Sequence, residues 1–169
     1  MRRALDTFYA ALMAGAALAM VACFVCVMLG IADRQFALGL RGLDAYAGYC
    51  IAAALFMGLP GTLQRGEHIR VTLLLQHTPA RLRAALEGWC LLAGIALTSA
   101  LAFYACRMVW VSWTTQDVSQ GSDATPLWLP QVAMALGCVG LSVAMLDAAL
   151  SRLAGRVFFT PAVGAANVE

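Results

Sequence analysis

The chain contains no lysine and only two histidines, and charged residues fill 12% of its 169 positions. A soluble domain carries about 25% charged residues, so this sequence has too little polar surface to clothe a water-soluble globule. All 11 basic residues are arginine, and against nine acidic residues they leave a net charge of +2. No block of like charge is present, so a nucleic-acid partner is not expected. The two histidines, His68 and His77, lie on one connection between apolar runs. Neither could hold a haem between membrane helices. No His-Glu-x-x-His and no paired Cys and His spacing marks a zinc site. Neither a cofactor nor a metal is therefore expected, and the scarcity of converging reactive groups speaks against an enzyme.

What the chain has in abundance is apolar residues: 62% of the sequence, with a mean hydropathy of +0.80. Crossing about 30 Å of hydrocarbon takes roughly 20 helical residues. Four runs meet that length, near 7–32, 43–63, 84–113 and 127–150. The expected fold is an all-α integral membrane protein, a single membrane domain over 1–169 with a short polar tail at 151–169. Arg2 and Arg3 before an Ala-rich run, with Ala17-Leu18-Ala19 behind it, resemble a signal peptide. The apolar run continues uncharged to Ile31, past the 7 to 15 residues of a signal core, so it is expected to remain a helix. The same continuity opposes lipid attachment at Cys23.

Cytoplasmic flanks retain positive charge. Arg2, Arg3, Arg65, Arg70, Arg81, Arg83, Arg152 and Arg156 fall on one side, and Arg34 and Arg41 on the other. Both termini are therefore expected in the cytoplasm. The third connection is acidic and rich in turn formers, with Asp117, Gly121, Asp123 and Pro126, which suits an exposed outer loop. Trp110, Trp113 and Trp128 flank it as an aromatic belt would.

Small residues recur every fourth position: Ala11, Gly15, Ala19 and Cys23; Gly94, Thr98, Ala102 and Cys106; Gly140, Ala144 and Ala148. Such stripes let helices approach closely in lipid, either within this bundle or against another protein. Cys23-Phe24-Val25-Cys26 is a C-x-x-C, and four-helix membrane thiol oxidoreductases exist. Both thiols sit in hydrocarbon, where the reactive thiolate is disfavoured, and Cys50, Cys90, Cys106 and Cys138 are scattered singly, so core cysteines are the expectation. Arg83 and Glu87, four apart, can pair on one helix face. Asp44 opens the second span, and Asp147 sits near the end of the fourth. Arg107 is the deepest charge, either snorkelling outward or bonding to a partner helix. The only candidate helix break is Gly58-Leu59-Pro60-Gly61, at the end of the second span. Four spans without a midplane charge cluster read as an accessory subunit rather than a transport pathway.

The most distinctive run is Arg65-Gly66-Glu67-His68-Ile69-Arg70-Val71, charges crowded between long apolar spans. With the flanking residues it reads GLPGTLQRGEHIRVTLLLQH over 58–77, followed by Pro79 and Arg81. This resembles the signature region of the small, DctQ-like membrane subunit of tripartite ATP-independent periplasmic (TRAP) transporters, at Gly66, His68, Ile69 and Val71. TPLWLPQVAMALG at 125–137, with Pro130 and Gly137, is similar to that family's entry into the fourth span. The Trp and Glu that usually precede its second span are absent, and Asp44 is the nearest acidic substitute.

The resemblance implies a non-catalytic subunit of the bacterial inner membrane. It would scaffold a large TRAP membrane subunit for cation-coupled, sodium-driven uptake of a solute such as an organic acid, delivered by a periplasmic solute-binding protein. With the small-residue stripes, it points to partner contacts at Gly15, Gly66, Glu67, His68, Ile69, Arg70, Glu87, Gly94, Arg107 and Pro130. Residues 66–77 are expected to lie along the lipid surface as an amphipathic segment. A membrane thiol oxidoreductase and an unrelated anchor or assembly subunit are the alternatives.

Overall fold

The computed structural model describes residues 2–65, 79–121 and 123–153. Four helices make up nearly all of it: α1 (Arg2–Phe36), α2 (Leu43–Gln64), α3 (Ala80–Thr114) and α4 (Trp128–Leu153). Each is long and apolar enough to cross a membrane, which agrees with the four expected spans. α1 and α3 extend at both ends beyond the expected 7–32 and 84–113. At 1.5 Å per residue the 35-residue α1 and α3 are about 50 Å long, well beyond a 30 Å core. They must tilt or project. Ser151, Arg152 and Leu153, assigned by sequence to the tail, still belong to α4.

The starts and stops have local causes. Gly42 precedes α2 with φ +80°, a left-handed backbone that residues with a Cβ rarely adopt. Asp44 then sits in the first turn, where the helix dipole favours negative charge, and Arg34 in the last turn of α1, where it favours positive. The candidate break at Gly58-Leu59-Pro60-Gly61 does not interrupt the helix. Pro60 lies inside α2, and the helix runs on to Gln64. A proline removes one i→i−4 bond, and here the carbonyl left without its helical donor is that of Phe56.

The helices pack in the spatial order α1, α2, α4, α3, with α1 only brushing α4. This order puts α2 and α4 in the middle and leaves α1 and α3 with outward faces. The α4 stripe is the spine: Gly140, Ala144 and Ala148 are all buried, as are Ala135, Gly137 and Cys138 just before them. Near one end Tyr9, Leu63 and Ala144 form a core with Leu5, Phe8, Leu141 and Met145 around it. Towards the other end Ala105, Ala135 and Cys138 form a second core with Phe56, Ala102, Val109 and Met134. In lipid, tight backbone approach and polar contacts between helices replace the hydrophobic drive. The Ser99 and Ser142 hydroxyls, 3.2 Å apart, supply one such contact between α3 and α4.

Candidate functional site

The residues singled out from sequence do not converge on one site. Gly15 of α1 faces Met57 of α2, and Gly94 of α3 faces Met145 of α4, the methionine methyl filling the space a Cβ would take in each case. Both glycines are thus occupied by contacts within this chain. Pro130 stands in the first turn of α4, half-buried, where a missing N–H costs nothing. Gly66, Glu67, His68, Ile69 and Arg70 lie outside the described residues, as does the amphipathic stretch 66–77. Glu87 is on α3, but its side chain and that of Arg83 lie outside the described residues, and so does their pairing.

Arg107 is the informative member of the set. It is exposed on α3, with no ion pair or hydrogen bond to a described residue. It lines an open cavity of about 360 Å³ with Tyr104, Met108, Val111, the buried Ser112 and Asp117. A guanidinium three residues before Trp110, among apolar neighbours, is expensive to leave bare in lipid, and both expected solutions, snorkelling outward or bonding to a partner helix, suit this position.

The end of the bundle beside this cavity is more ordered than the loop composition suggested. Asp123 accepts hydrogen bonds from the Tyr49 hydroxyl at 3.2 Å and from Ser119 Oγ at 2.9 Å. Thr125 Oγ1 donates to the Tyr46 hydroxyl at 3.1 Å, and Ser119 N to the Thr125 carbonyl at 2.8 Å. A bridge from Val118 to Pro126 and the bond from Leu127 N to the Asp117 carbonyl close the loop into a hairpin. Asp123 also packs on Gly42, where any Cβ would collide with it. Partial desolvation pushes the Asp123 carboxyl up, but hydrogen bonds from Thr125, Ser119, its own backbone and Tyr49 together outweigh that and hold it below the usual carboxylate range. On the first connection Asp33 accepts from Leu40 N at 2.9 Å. Arg34 and Asp44 pair at 3.4 Å, but both are so exposed that the pair is worth at most about 1 kcal/mol. Trp113 and Trp128 meet edge to face, with centroids 4.8 Å apart, across the mouth of the third connection.

The thiols are less scattered than the sequence suggested. Cys50 of α2 stands near Cys23 and Cys26 of α1. The stripe periodicity of α1 foretold that Cys23 would face a neighbour, but the partner on α2 has no spacing signal of its own. All six cysteines are free. The charged residues of the described helices, Arg107 included, stand within about two turns of a helix end, so among the described residues the middle of the bundle carries no charge.

This geometry is that of a packed four-helix membrane unit with two outward faces. The family model described as tripartite ATP-independent periplasmic transporters, DctQ component, matches residues 23–155. The chain belongs to this family. No curated protein and no solved structure matches it. The DctQ component is the small permease subunit of a TRAP transporter, a transporter component that works with a large membrane subunit and a periplasmic binding protein. The match begins within α1 and ends just beyond α4, so it takes in the hairpin clasp at Asp123, the α4 spine and the segment that carries Gly66 and His68.

Proposed function

We propose that this DctQ component is a fixed scaffold that holds the large TRAP membrane subunit in the bacterial inner membrane and carries neither solute nor cation itself. The coupling ion in this reading is sodium, and the solute is an organic acid delivered by the periplasmic binding protein. Both termini are cytoplasmic, by the eight-to-two distribution of arginines across the two sides.

The observation that carries the reading is the use of the small-residue stripes. The stripes of α1, α3 and α4 are spent on contacts inside the chain, Gly15 against Met57, Gly94 against Met145 and Gly140 against Leu12 and Pro60, with α2 and α4 in the centre. The outward faces of α1 and α3 remain, with exposed Leu18, Val21 and Phe24 on one and Trp89, Leu97 and Phe103 on the other. In a membrane such faces meet lipid or another subunit, and a family whose transporter has a large membrane subunit supplies the latter. The test is uptake of organic acids into proteoliposomes holding the large subunit and binding protein, with and without this chain, alongside copurification. Uptake that needs this chain, with the two membrane subunits copurifying, supports the scaffold. Sodium-driven uptake by this chain alone refutes it.

A further inference from the structure

The cavity at Arg107 does not end at its polar residues. Tyr104 and Met108 also line a second cavity of about 190 Å³, so the two adjoin along α3. The second is wholly apolar, walled by Phe56 of α2, Leu101 and Ala105 of α3, and Met134 and Cys138 of α4. It runs toward the middle of the bundle, where α2 and α3 part over α4. The first opens toward the helix end and holds one cation, Arg107, and one anion, Asp117. Arg107 lies seven residues before the end of α3 at Thr114, about 10 Å below it at 1.5 Å per residue. Trp110 and Trp113 stand between, both exposed. Tryptophans concentrate at the headgroup level, which places Arg107 at the boundary between headgroups and acyl chains.

An apolar slot that opens at that boundary onto a cation and an anion matches the order of parts in one zwitterionic lipid. We propose that this groove binds a single phospholipid whose headgroup carries a primary ammonium. Its phosphate sits on Arg107, its ammonium on Asp117, and one acyl chain in the slot between Phe56, Ala105 and Met134. A guanidinium binds phosphate oxygens with two N–H donors at once. An ammonium offers three donors to a carboxylate, whereas a trimethylated amine offers none. Basic pockets between membrane helices bind lipid headgroups elsewhere by the same logic. The site does not depend on the scaffold reading, because every wall belongs to this chain.

The experiment uses the full-length chain, stripped of lipid in detergent and then exposed to phosphatidylethanolamine, phosphatidylcholine or phosphatidylglycerol at equal mole ratios. Retained lipid is counted by native mass spectrometry. Phosphatidylethanolamine should be held at one per chain and about tenfold better than phosphatidylcholine, the ratio one charge-assisted hydrogen bond supplies. R107Q should lose retention of all three lipids. D117N should erase the preference for the primary amine while leaving phosphate-dependent binding. L101W, at the exposed rim of the slot, should weaken retention without touching the polar residues, with thermal melting checking that each variant is folded. Equal retention of phosphatidylethanolamine and phosphatidylcholine by the unaltered chain would overturn the proposal, as would R107Q retaining lipid like the unaltered chain. So would displacement of the lipid when the large subunit copurifies, which would show that a protein helix fills the groove.

Discussion

Gly137 of α4 lies directly against the backbone carbonyl of Phe56 on α2, the carbonyl whose helical donor Pro60 removes. The two features belong together. A proline frees an acceptor inside an apolar bundle, where an unsatisfied carbonyl is costly, and a glycine on the neighbouring helix brings its Cα hydrogens up to that spot. Weak Cα–H···O contacts of this kind recur between closely packed helices and contribute about 0.5–1 kcal/mol each.

Replacing Gly137 by Ala should therefore destabilise the subunit more than any other Gly-to-Ala change in its helices. The added methyl would meet backbone atoms of Phe56 and Met57, which cannot swing aside. Overpacking of this sort costs about 1–3 kcal/mol. Thermal unfolding of the detergent-solubilised chain should show a clear drop. An unchanged melting temperature would mean that α2 and α4 are further apart than described.

Gly15→Ala and Gly94→Ala provide the contrast. The obstacle at each is the terminal methyl of a methionine, Met57 or Met145, and methionine readily finds another rotamer. Both changes should cost less than the about 1–3 kcal/mol of true overpacking. Gly15→Leu and Gly94→Leu exceed what a moving methyl can absorb and should separate α1 from α2, and α3 from α4. Melting of the isolated subunit, measured before any partner is added, is the deciding observation, since a role confined to a subunit interface would leave that melting untouched.

Acid should loosen the clasp at Asp123. Its carboxyl titrates below the ordinary value in the folded chain, so the stabilisation it brings is fully present above the unfolded value, about 3.9. That stabilisation is lost as pH falls through the lower folded value. Hydrogen exchange at the Ser119 and Leu127 amides, which bond to the Thr125 and Asp117 carbonyls, reports the closure directly. Protection should hold from pH 7 to about 5 and fall below about 4. Asp123→Asn should lower protection at neutral pH and flatten the dependence. If exchange in the unaltered chain ignores pH across that range, Asp123 does not hold the hairpin.

The four spans were legible because a membrane helix announces itself by length and hydropathy, and the α4 stripe because Gly140, Ala144 and Ala148 repeat at helical spacing. The mate of each stripe was not legible. Gly15 and Gly94 could equally have faced another protein, since a small residue shows that something comes close but not what. Gly137 carried no stripe signal of its own, because one helical turn earlier than Gly140 by fours the sequence has Leu136, which is exposed. The clasp escaped for a different reason. Tyr46 and Tyr49 lie on α2, 70 or more positions from Thr125 and Asp123, and turn-forming residues predict an exposed loop whether or not a distant tyrosine ties it down. The adjoining cavities at Arg107 depend on where α2 and α3 diverge, which no local pattern encodes.

The orientation of the bundle follows from one sign of charge and is open to a direct check. The clasp joins the 37–42 and 115–127 connections at one end through Gly42 and Asp123. At the opposite end Gln64 Nε2 donates to Asp6 at 3.2 Å, so the amino terminus and the end of α2 share a side. Reporter fusions need therefore sample only two points. A fusion after Glu169 should report the cytoplasm, and an insertion at Gly121 the periplasm, because the arginine-rich flanks stay inside. Insertion at Gly121 leaves the Tyr49 bond to Asp123 two residues away as a check on folding. Periplasmic signal from the carboxyl terminus with cytoplasmic signal at Gly121 would invert the subunit. It would then move Arg107 and its cavity from the periplasmic leaflet to the cytoplasmic one, while leaving every contact within the bundle unchanged.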